Sequence, residues 1–396
     1  MKEAGVYIHI PFCKSRCQYC DFNTSARLET FIPNYCLNLV KEIQISSRIF
    51  QKECSIGSIY FGGGTPSYLP ANCIQAVIQA IQDSFNVSSQ AEISMEANPA
   101  DIIPSKAAIW HAAGINRLSI GMQSAQNVEL KMLGRRHRFK EVVQAVNILR
   151  TAGIENYNLD LMFGLPHQNM QSWQGSVTKA LDLAPTHLSF YALTVEEGTP
   201  LAAEIQTNIL PTPDEDLAAE MYEWAMDFLA EQGFEQYEIS NWAKKDEVDY
   251  RCQHNILYWR NRDYLGFGAA AHSHVGDQRW ENGTRVPEYI QMLSRFSENK
   301  KVNFPLPWFE TCTKLTSAED MGETAMMGLR LVEEGLRDDL FQERFGKSLF
   351  EVYKEQINEL VRLGLLEVVE GEAHAIRLTK RGRLLGNQVF MRFLMD

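Results

Sequence analysis

Long apolar stretches and basic residues are both scarce in this sequence. No apolar run approaches 18 residues, and the first residues lack the charged-then-apolar layout of a signal peptide, so neither a membrane span nor export is expected. Only 38 Lys and Arg residues face 50 Asp and Glu residues, which gives a net charge of -12. Phosphate neutralisation requires a basic surface. We therefore expect a cytoplasmic protein with no nucleic-acid partner.

Cysteines with a pairing pattern are also few. Five of the eight cysteines show no paired spacing, and in a reducing compartment we expect them to be free thiols. They are Cys36, Cys54, Cys73, Cys252 and Cys312. The sequence contains no C-x-x-C-H haem attachment site, no internal repeat and no low-complexity linker. Because 45% of the residues are apolar, the chain can bury a sizeable core.

The remaining three cysteines crowd into one loop near the start of the chain. Cys13, Cys17 and Cys20 are spaced C-x3-C-x2-C directly after a β-like run. Thiolates at this density repel one another unless a soft cation neutralises them, so the loop predicts a metal centre. A structural zinc ion would take a fourth Cys or His, whereas an iron–sulfur cubane can leave one iron open to bind a ligand. The alternatives are a zinc site with a distant fourth ligand, or three reduced cysteines.

Short β-branched runs alternate with longer amphipathic stretches over the first half of the chain. The predicted strands are 5–10, 56–61, 92–96, 117–120, 156–162 and 187–191. The predicted helices are 33–49, 71–84, 105–113, 140–152 and 170–183. Strand, helix, strand at this interval is typical of an α/β fold with a parallel sheet built by right-handed crossovers. The pattern fits either a partial (β/α)6 barrel or an open doubly wound sheet.

Polar or glycine-rich residues lie at or near the end of each predicted strand. Among them are Glu96, Gln123, Asp160 and the run Gly62-Gly63-Gly64-Thr65-Pro66. Barrel enzymes place their chemistry at the carboxyl ends of parallel strands, so these residues predict a shared site. A salt bridge or helix cap would account for either carboxylate alone, and a tight turn for the glycines. The glycine run is neither a P-loop nor a G-x-G-x-x-G fingerprint.

The rest of the chain breaks the alternating pattern. Residues 1–195 form the predicted barrel domain, 196–305 a loop-rich middle segment over the barrel mouth, and 306–396 a small C-terminal α+β domain. The middle segment has an acidic helix at 214–232 and a histidine, His254, beside an Asn. Such a histidine is more often structural than a ligand.

The C-terminal segment has the pattern of a winged helix. Predicted helices at 317–332, 338–345 and 349–363 precede a hairpin of 366–370 and 375–379 and a last basic helix. Winged helices often bind DNA, but the acidic charge of the chain favours a scaffold or substrate-covering role.

The cysteine loop, with an aromatic residue just before its third cysteine, resembles the signature of radical S-adenosylmethionine (SAM) enzymes. This resemblance implies that Cys13, Cys17 and Cys20 hold a 4Fe–4S cluster, whose open iron takes the amino and carboxylate groups of SAM. It also implies a partial (β/α)6 radical-SAM barrel, in which the glycine-rich loop contacts the amino group of SAM.

Four motifs together make a closer resemblance. Tyr-Ile-His-Ile-Pro-Phe-Cys, Gly-Gly-Gly-Thr-Pro, Leu-Ser-Ile-Gly-Met-Gln and Asp-Leu-Met-Phe-Gly-Leu-Pro look like the anaerobic coproporphyrinogen III oxidase family, in that family's order. The resemblance extends over nearly the whole chain. The SAM contacts that it implies are Tyr7, Tyr19, Gly63, Gly64, Thr65, Glu96, Gln123, Arg135 and Asp160. The adjacent Arg136 leaves the choice of arginine open.

Two features depart from the oxidase. Phe22 stands where the oxidase carries a fourth cysteine, and six residues precede Tyr7 where the oxidase has an N-terminal extension. Both features, together with the stretch His254-Asn-Ile-Leu-Tyr-Trp, are similar to a branch of the family regarded as haem chaperones. That similarity implies haem as a further cofactor and His254 as its ligand, and imidazole is a sensible axial ligand of haem iron.

The branch resemblance implies a chaperone that binds haem and a SAM-liganded 4Fe–4S cluster and hands haem to acceptor haemoproteins. It also allows a homodimer, and a peripheral position at the membrane during haem delivery. The alternative is an oxygen-independent coproporphyrinogen III oxidase, a radical SAM oxidative decarboxylase. The missing cysteine and extension count against that activity. A zinc-stabilised winged-helix regulator is a third interpretation, which the acidity and the six β/α units disfavour.

Overall fold

The computed structural model describes residues 2–50, 54–297, 302–369, 371 and 374–394. Contacts between residues divide the chain into two compact units. The first contains Met1–Ala225, Tyr264–Ser273 and Trp280–Cys312, and the second contains Met226–Asp263, His274–Arg279 and Thr313–Asp396. The boundaries of these units differ from the predicted domain boundaries after residues 195 and 305. The three-domain division stays a prediction about domain organisation.

The elements are numbered along the chain. The strands are β1 Lys2–Ile10, β2 Cys54–Gly63, β3 Asn86–Ala97, β4 Arg117–Gln123, β5 Tyr157–Phe163, β6 His187–Ala192, β7 Phe234–Glu238, β8 Asn241–Lys244, β9 Tyr264–Phe267, β10 His272–Val275, β11 Gln278–Asn282, β12 Phe309–Lys314, β13 Leu336–Arg337, β14 Leu366–Val369 and β15 Ala375–Leu378. The helices are α1 Ile32–Phe50, α2 Ala71–Ser84, α3 Pro104–Ala112, α4 Asn127–Met132, α5 Phe139–Thr151, α6 Met170–Leu181, α7 Pro200–Gln206, α8 Glu215–Glu231, α9 Gln253–Trp259, α10 Val286–Arg295, α11 Ser317–Gly328, α12 Asp338–Phe345, α13 Leu349–Val352, α14 Lys354–Arg362, α15 Lys380–Leu384 and α16 Gly386–Phe390.

A parallel sheet organises the first unit. Its strands follow the order β9-β1-β2-β3-β4-β5-β6, and each neighbouring pair is parallel. The six predicted strands and five predicted helices are confirmed, with ends that shift by a few residues, and so is the predicted α/β fold class. Strand β9 beside β1 was not predicted, because its four residues include a glycine and show no clear alternation. Strands β10, β11 and β12 follow β9 in the sheet order.

Hydrophobic burial explains why these segments form a sheet with helices packed on it. Alternate residues of β1, namely Ala4, Val6, Ile8 and Ile10, are fully buried. Helices α1 and α2 bury one face each, as expected from their amphipathic patterns. Burying one large aliphatic side chain stabilises a fold by about 1.5–3 kcal/mol. Burial of these residues therefore directs one face of β1 into the core, whereas all seven residues of β4 are buried.

The second unit contains more regular structure than its sequence suggested. Strands β7 and β8 form an antiparallel hairpin, and 253–259 form helix α9. These short elements were not predicted, because strands of four or five residues leave too little periodicity to recognise.

The C-terminal part of the second unit has a three-stranded sheet in the order β13-β15-β14. The predicted hairpin is confirmed for 366–369 and 375–378, whereas its predicted end at Glu370 lies outside the described residues. The predicted helix 349–363 is interrupted at Tyr353, and the predicted helix 317–332 ends at Gly328. Across the described ranges, no helix is both long and apolar enough to span a bilayer.

Candidate cluster and cofactor site

Backbone hydrogen bonds close the cysteine loop between β1 and α1. The Cys13 N–H donates to the Ser25 carbonyl oxygen at 3.0 Å, and the Ser25 N–H donates to the Pro11 carbonyl oxygen at 2.8 Å. The Gln18 N–H donates to the Leu133 carbonyl oxygen at 3.1 Å. The two ends of the loop are thus tied together, and its middle is tied to the segment after α4. This bracing holds the three thiols on a defined backbone.

The donor set of this loop fits a 4Fe–4S cluster. All three thiols are free and partly exposed. Thr65 Oγ1 donates to Cys13 Sγ and Arg135 Nη1 donates to Cys17 Sγ, both at 3.4 Å. Burial raises the pKa of Cys13, and the nearby Cys20 and Cys17 thiols raise it further. Among the described residues, no three His, Cys, Asp or Glu side chains converge on one metal ion. A cubane spreads three thiolates over three irons and needs no such convergence.

The glycine-rich loop packs directly against the cysteine loop. The Gly64 N–H donates to the Ile10 carbonyl oxygen at 2.8 Å, and the Thr65 N–H donates to the Phe12 carbonyl oxygen at 2.9 Å. A Cβ on Gly64 would lie 2.8 Å from that Ile10 oxygen and 3.0 Å from Cys13 Sγ. The preceding Gly63 has a φ of +106°, which L side chains rarely adopt. The glycines therefore allow the backbone of the glycine-rich loop to lie close to the cysteine loop.

The structure distinguishes the two adjacent arginines. Arg135 contacts Cys17 Sγ, and its Nη2 donates to the Gly121 carbonyl oxygen at 2.8 Å. Arg136 points elsewhere and pairs with Asp101, with 2.8 Å between Nη2 and Oδ2. Only Arg135 lies beside the cysteine loop. The assignment of Arg135 to SAM stays a prediction.

Tyr19, in the cysteine loop, lies beside Arg135. Its ring packs against a small cluster of the buried residues Leu133, Met162 and Leu165. Burial raises the pKa of its hydroxyl, and the neighbouring Arg135 guanidinium partly offsets this effect. The hydroxyl therefore stays protonated near neutral pH and can donate a hydrogen bond.

Glu96 lies near the carboxyl end of β3, close to the side chains of Tyr60 and Tyr7. Tyr60 Oη donates to Glu96 Oε1 at 3.0 Å, and the rings of Tyr60 and Tyr7 stack with 6.4 Å between their centroids. The Gly63 N–H also donates to the carboxyl. Burial, and then the charge of Asp160, raise the pKa of Glu96 to about 7. Its charge state therefore changes near neutral pH.

Asp160 and Gln123 lie on the next strands of the sheet. Ser119 Oγ donates to both oxygens of Asp160, at 3.1 Å and 3.0 Å, and Asn158 Nδ2 donates at 2.6 Å. Burial raises the pKa of Asp160, while these hydrogen bonds partly lower it. Gln123 ends β4 with a φ of 63°, which turns the chain sharply at the strand end. The predicted polar residues are thus brought to neighbouring strands.

Sequence reasoning missed Tyr60, Ser119 and Asn158, which hold the two carboxyl groups. Asn158 lies two residues before Asp160, so strand alternation places both on one face and could have found it. The contacts of Tyr60 and Ser119 with the carboxyl groups depend on the register between strands. Tyr60 pairs with Tyr7, and Ser119 pairs with Asn158. No local pattern in one strand reveals such a register.

Replacing Glu96 with Gln is expected to change stability in a pH-dependent way. The folded pKa of Glu96, about 7, exceeds the ordinary value of 4.5. The carboxyl therefore contributes stability that is complete below the ordinary pKa and is lost as the pH rises through the folded pKa. A neutral Gln avoids this loss. Relative to the wild-type chain, Glu96→Gln should gain up to about 3 kcal/mol between about pH 5 and about pH 8, measured by thermal unfolding.

The exposed Glu155 of the same unit supplies a matched control. Glu155→Gln also removes one carboxylate, so it reports the effect of net charge alone. If the stability difference between Glu96→Gln and the wild type stays constant over this pH range, the buried environment described for Glu96 is incorrect.

His254 lies in helix α9 of the second unit, whereas the other predicted site residues lie in the first. Its side chain is 1% exposed, and its ring makes an edge contact with Tyr258 at 4.6 Å between centroids. Burial lowers the pKa of His254 to about 3. The imidazole is therefore neutral near pH 7, which is the form that binds metals.

C-terminal residues of the same unit contact the end of helix α9. The Arg330 guanidinium lies between the rings of Trp259 and Phe390, 4.9 Å from each centroid. Arg260 pairs with Glu334 through two hydrogen bonds. Cation–π contacts at partly desolvated sites contribute about 1–2 kcal/mol. The stretch that contains His254 is thus part of the second unit's packing.

Comparisons with known proteins agree with this architecture. Residues 7–180 match the radical SAM superfamily model, and residues 315–385 match the HemN C-terminal domain. The heme chaperone HemW of Bacillus subtilis (strain 168) is 36% identical over 100% of this chain and 99% of its own length. The heme chaperone HemW of Escherichia coli (strain K12) is 32% identical over 99% and 98%.

A solved structure resembles the whole chain. Escherichia coli coproporphyrinogen III oxidase (HemN), a radical SAM enzyme, has a TM-score of 0.80 and 23% identity, over 100% of this chain and 90% of that chain. At this identity the likeness concerns the fold alone. It agrees with the predicted radical SAM architecture.

The parallel sheet, with a three-cysteine loop after its first strand and a glycine loop after its second, defines the radical SAM class of proteins. Membership of that class implies SAM and a 4Fe–4S cluster as cofactors. Within the class, the chain belongs to the HemW family, to which it is similar along its full length. The resemblance noted in its motifs is thereby confirmed.

Proposed function

We propose that this chain is a haem chaperone, which binds haem and a SAM-liganded 4Fe–4S cluster and transfers haem to acceptor haemoproteins. Its full-length similarity to proteins named heme chaperone HemW carries the proposal. Phe22 supports it, because the cluster loop offers an aromatic ring, 65% exposed, in place of a fourth thiol. The proposal includes a cytoplasmic location, a peripheral position at the membrane during delivery, and a homodimer.

The first unit would hold the cluster and SAM. Cys13, Cys17 and Cys20 would be the cluster ligands, and the open iron of a bound cluster supplies a position for the amino and carboxylate groups of SAM. Arg135 keeps a positive charge beside the thiolates through its contact with Cys17. Glu96, oriented by its hydrogen bond from a tyrosine, would accept hydrogen bonds from polar groups of SAM.

The second unit would hold haem through His254. Its neutral imidazole has a ring nitrogen able to bind haem iron, as an axial histidine does. A ring that is 1% exposed cannot reach an external ligand, so binding requires helix α9 to open away from its packing partners. The Arg330 contact with Trp259 would resist this opening. Haem binding should therefore be slow in the wild-type chain and faster when Arg330 is replaced by Gln.

Replacing His254 with Ala is expected to weaken haem binding while leaving the cluster intact. Loss of an axial ligand should raise the Kd for haem at least about tenfold, or ~1.4 kcal/mol. Spectroscopic titration with haem measures the affinity, and iron and sulfide analysis measures the cluster. His274→Ala is the matched control, because His274 is also buried in the second unit. Equal haem affinity in His254→Ala and the wild type would exclude His254 as the ligand.

An anaerobic activity assay separates the chaperone from the oxidase. Reconstituted protein is given coproporphyrinogen III, SAM and a strong reductant, and the porphyrin products are separated. We expect no doubly decarboxylated product from protein with an intact cluster. Appearance of that product would establish the oxidase and reject the chaperone proposal.

A transfer assay then tests the chaperone directly. Haem-loaded protein is mixed with membranes from haem-depleted cells, which contain haem enzymes without their cofactor. We expect haem enzyme activity to appear faster than with the same concentration of free haem. Transfer no faster than from free haem would contradict a chaperone role.

A further inference from the structure

A chain of hydrogen bonds leads from the buried His187 to the carboxyl group of Asp160 in the first unit. His187 begins β6 and is fully buried, and its Nδ1 lies 2.8 Å from Asn158 Oδ1. Asn158 Nδ2 in turn donates to Asp160 Oδ1 at 2.6 Å. Asn158 and His187 are partners in the parallel pairing of β5 with β6. The Asn158 amide therefore links the histidine to the carboxyl group.

The Asn158 side chain uses both ends of its amide. Its Nδ2 also donates to Ser119 Oγ at 2.7 Å, and the Ser119 hydroxyl donates to the Asp160 carboxyl. An ionised carboxylate only accepts hydrogen bonds, so the amide nitrogen must face Asp160 and the amide oxygen must face His187. If the amide turned over, its oxygen would lie 2.6 Å from a carboxylate oxygen, and two acceptors at that distance repel each other.

His187 is consequently a hydrogen-bond donor at Nδ1. Burial, and then the nearby Arg117 guanidinium, lower the pKa of His187 well below its usual range, so the ring is neutral near pH 7. A neutral imidazole has one N–H, and the amide oxygen that Nδ1 faces requires the proton at Nδ1. This tautomer holds the Asn158 amide in the orientation that donates to Asp160.

Asp160 is the member of this chain that a ligand can reach. It is partly exposed, whereas Asn158 is 1% exposed and His187 is fully buried. Burial raises the pKa of Asp160, and hydrogen bonds from Ser119, Asn158 and Ser189 partly lower it, so these donors stabilise the ionised form. A carboxylate offers about four lone-pair positions, which leaves room for one more donor.

We propose that His187 is a positioning residue for SAM binding, because its Nδ1–H fixes the Asn158 amide, which in turn holds the Asp160 carboxylate as the acceptor for a donor group of SAM. The proposal rests on the SAM site of the proposed function, and it does not depend on haem binding or transfer. Since His187 acts through Asn158, its loss should weaken SAM binding without removing a ligand of the cluster.

Two amide substitutions of His187 separate positioning from packing. Asn places its amide nitrogen near the position of Nδ1, whereas the longer Gln places it near that of Nε2. Anaerobically reconstituted protein is dialysed to equilibrium against labelled SAM, and iron and sulfide analysis measures the cluster. We expect His187→Gln to raise the Kd for SAM at least about tenfold, and His187→Asn to stay within about threefold of the wild type, both with normal cluster content.

Tyr157→Phe is the matched structural control. Tyr157 precedes Asn158 in β5, is 1% exposed and donates from Oη to the Leu183 carbonyl oxygen at 2.6 Å. Strand alternation places its side chain on the face opposite to that of Asn158. Loss of this buried hydrogen bond should lower the Tm while leaving the Kd for SAM unchanged.

A double-mutant cycle tests the route through Asn158. Asn158→Ala alone should weaken SAM binding as much as His187→Gln does, and adding His187→Gln to it should weaken binding by less than about twofold further. Wild-type affinity in His187→Gln would overturn the proposal, and so would an equal loss in the Asn and Gln variants. Wild-type affinity in Asp160→Asn would also overturn it, because Asp160 would then not hold SAM. The haem transfer assay judges the chaperone function separately.

Discussion

Cys17→Ala is expected to abolish assembly of the 4Fe–4S cluster. Each of the three thiolates of the loop would hold one iron of the cubane, so the variant keeps two protein ligands for a cluster that already has one open iron. Arg135 would also lose its sulfur partner, which lies 3.4 Å from Nη1 in the wild-type chain. A buried guanidinium that faces no thiolate disfavours the loop conformation further.

Iron and sulfide analysis after anaerobic reconstitution measures this effect, together with the absorbance of the cluster. Both should fall to near background in Cys17→Ala. The matched control is Cys312→Ala, which removes an exposed thiol outside the loop and should load normally. Normal iron and sulfide content in Cys17→Ala would show that the ligand set is wrong.

Gly64→Ala is expected to have the second largest effect, although it adds only one methyl group. That methyl would lie 2.8 Å from the Ile10 carbonyl oxygen, 2.9 Å from the Phe12 carbonyl oxygen and 3.0 Å from Cys13 Sγ. Two of these neighbours are backbone atoms, which cannot rotate away. The glycine loop must therefore separate from the cysteine loop, which breaks the hydrogen bond from the Gly64 N–H to Ile10.

The expected cost of Gly64→Ala is about 2 kcal/mol of stability, which lowers the Tm by roughly 4–8 °C, with reduced cluster content. Thermal unfolding and iron analysis measure the two effects. Gly175→Ala is the matched control, because its Cβ meets only an ordinary contact at 3.5 Å within helix α6. Ala in a helix should stabilise the chain by up to about 1 kcal/mol. Equal stability and cluster content in both variants would contradict the close packing of the two loops.

Phe22 lies on the cluster loop and helps to distinguish the chaperone function from the oxidase function. The resemblance places it at the oxidase's fourth cysteine, and its ring is 65% exposed on the cluster loop. Exposing a large aromatic ring to water is unfavourable unless a partner covers it. Neither the fold nor the three-cysteine spacing separates the two functions, because both functions share them. Phe22 is therefore one of the features that the resemblance uses to separate them, beside the N-terminal extension and the stretch that begins at His254.

Local sequence patterns determined the α/β architecture. Alternation in β1 buries Ala4, Val6, Ile8 and Ile10, which determines the face that these residues turn to the core but not the residues that the strand pairs with. Helices of 9 to 19 residues lie between such strands. This alternation favours a parallel sheet, because the helices can then pack on the sheet and bury its apolar side chains. The cysteine spacing likewise indicated the cluster, because its ligands lie within eight residues of one another. These features depend on near neighbours in the chain.

Tertiary structure decided the features that join distant segments. Arg135 and Arg136 are equivalent in sequence, and only the contacts with Cys17 and Asp101 separate them. The raised pKa of Glu96 depends on burial and on the charge of Asp160, 64 residues away in the chain. The periodicity of a sequence indicates which face of a helix or strand is buried. It does not indicate which atoms of another element contact that face.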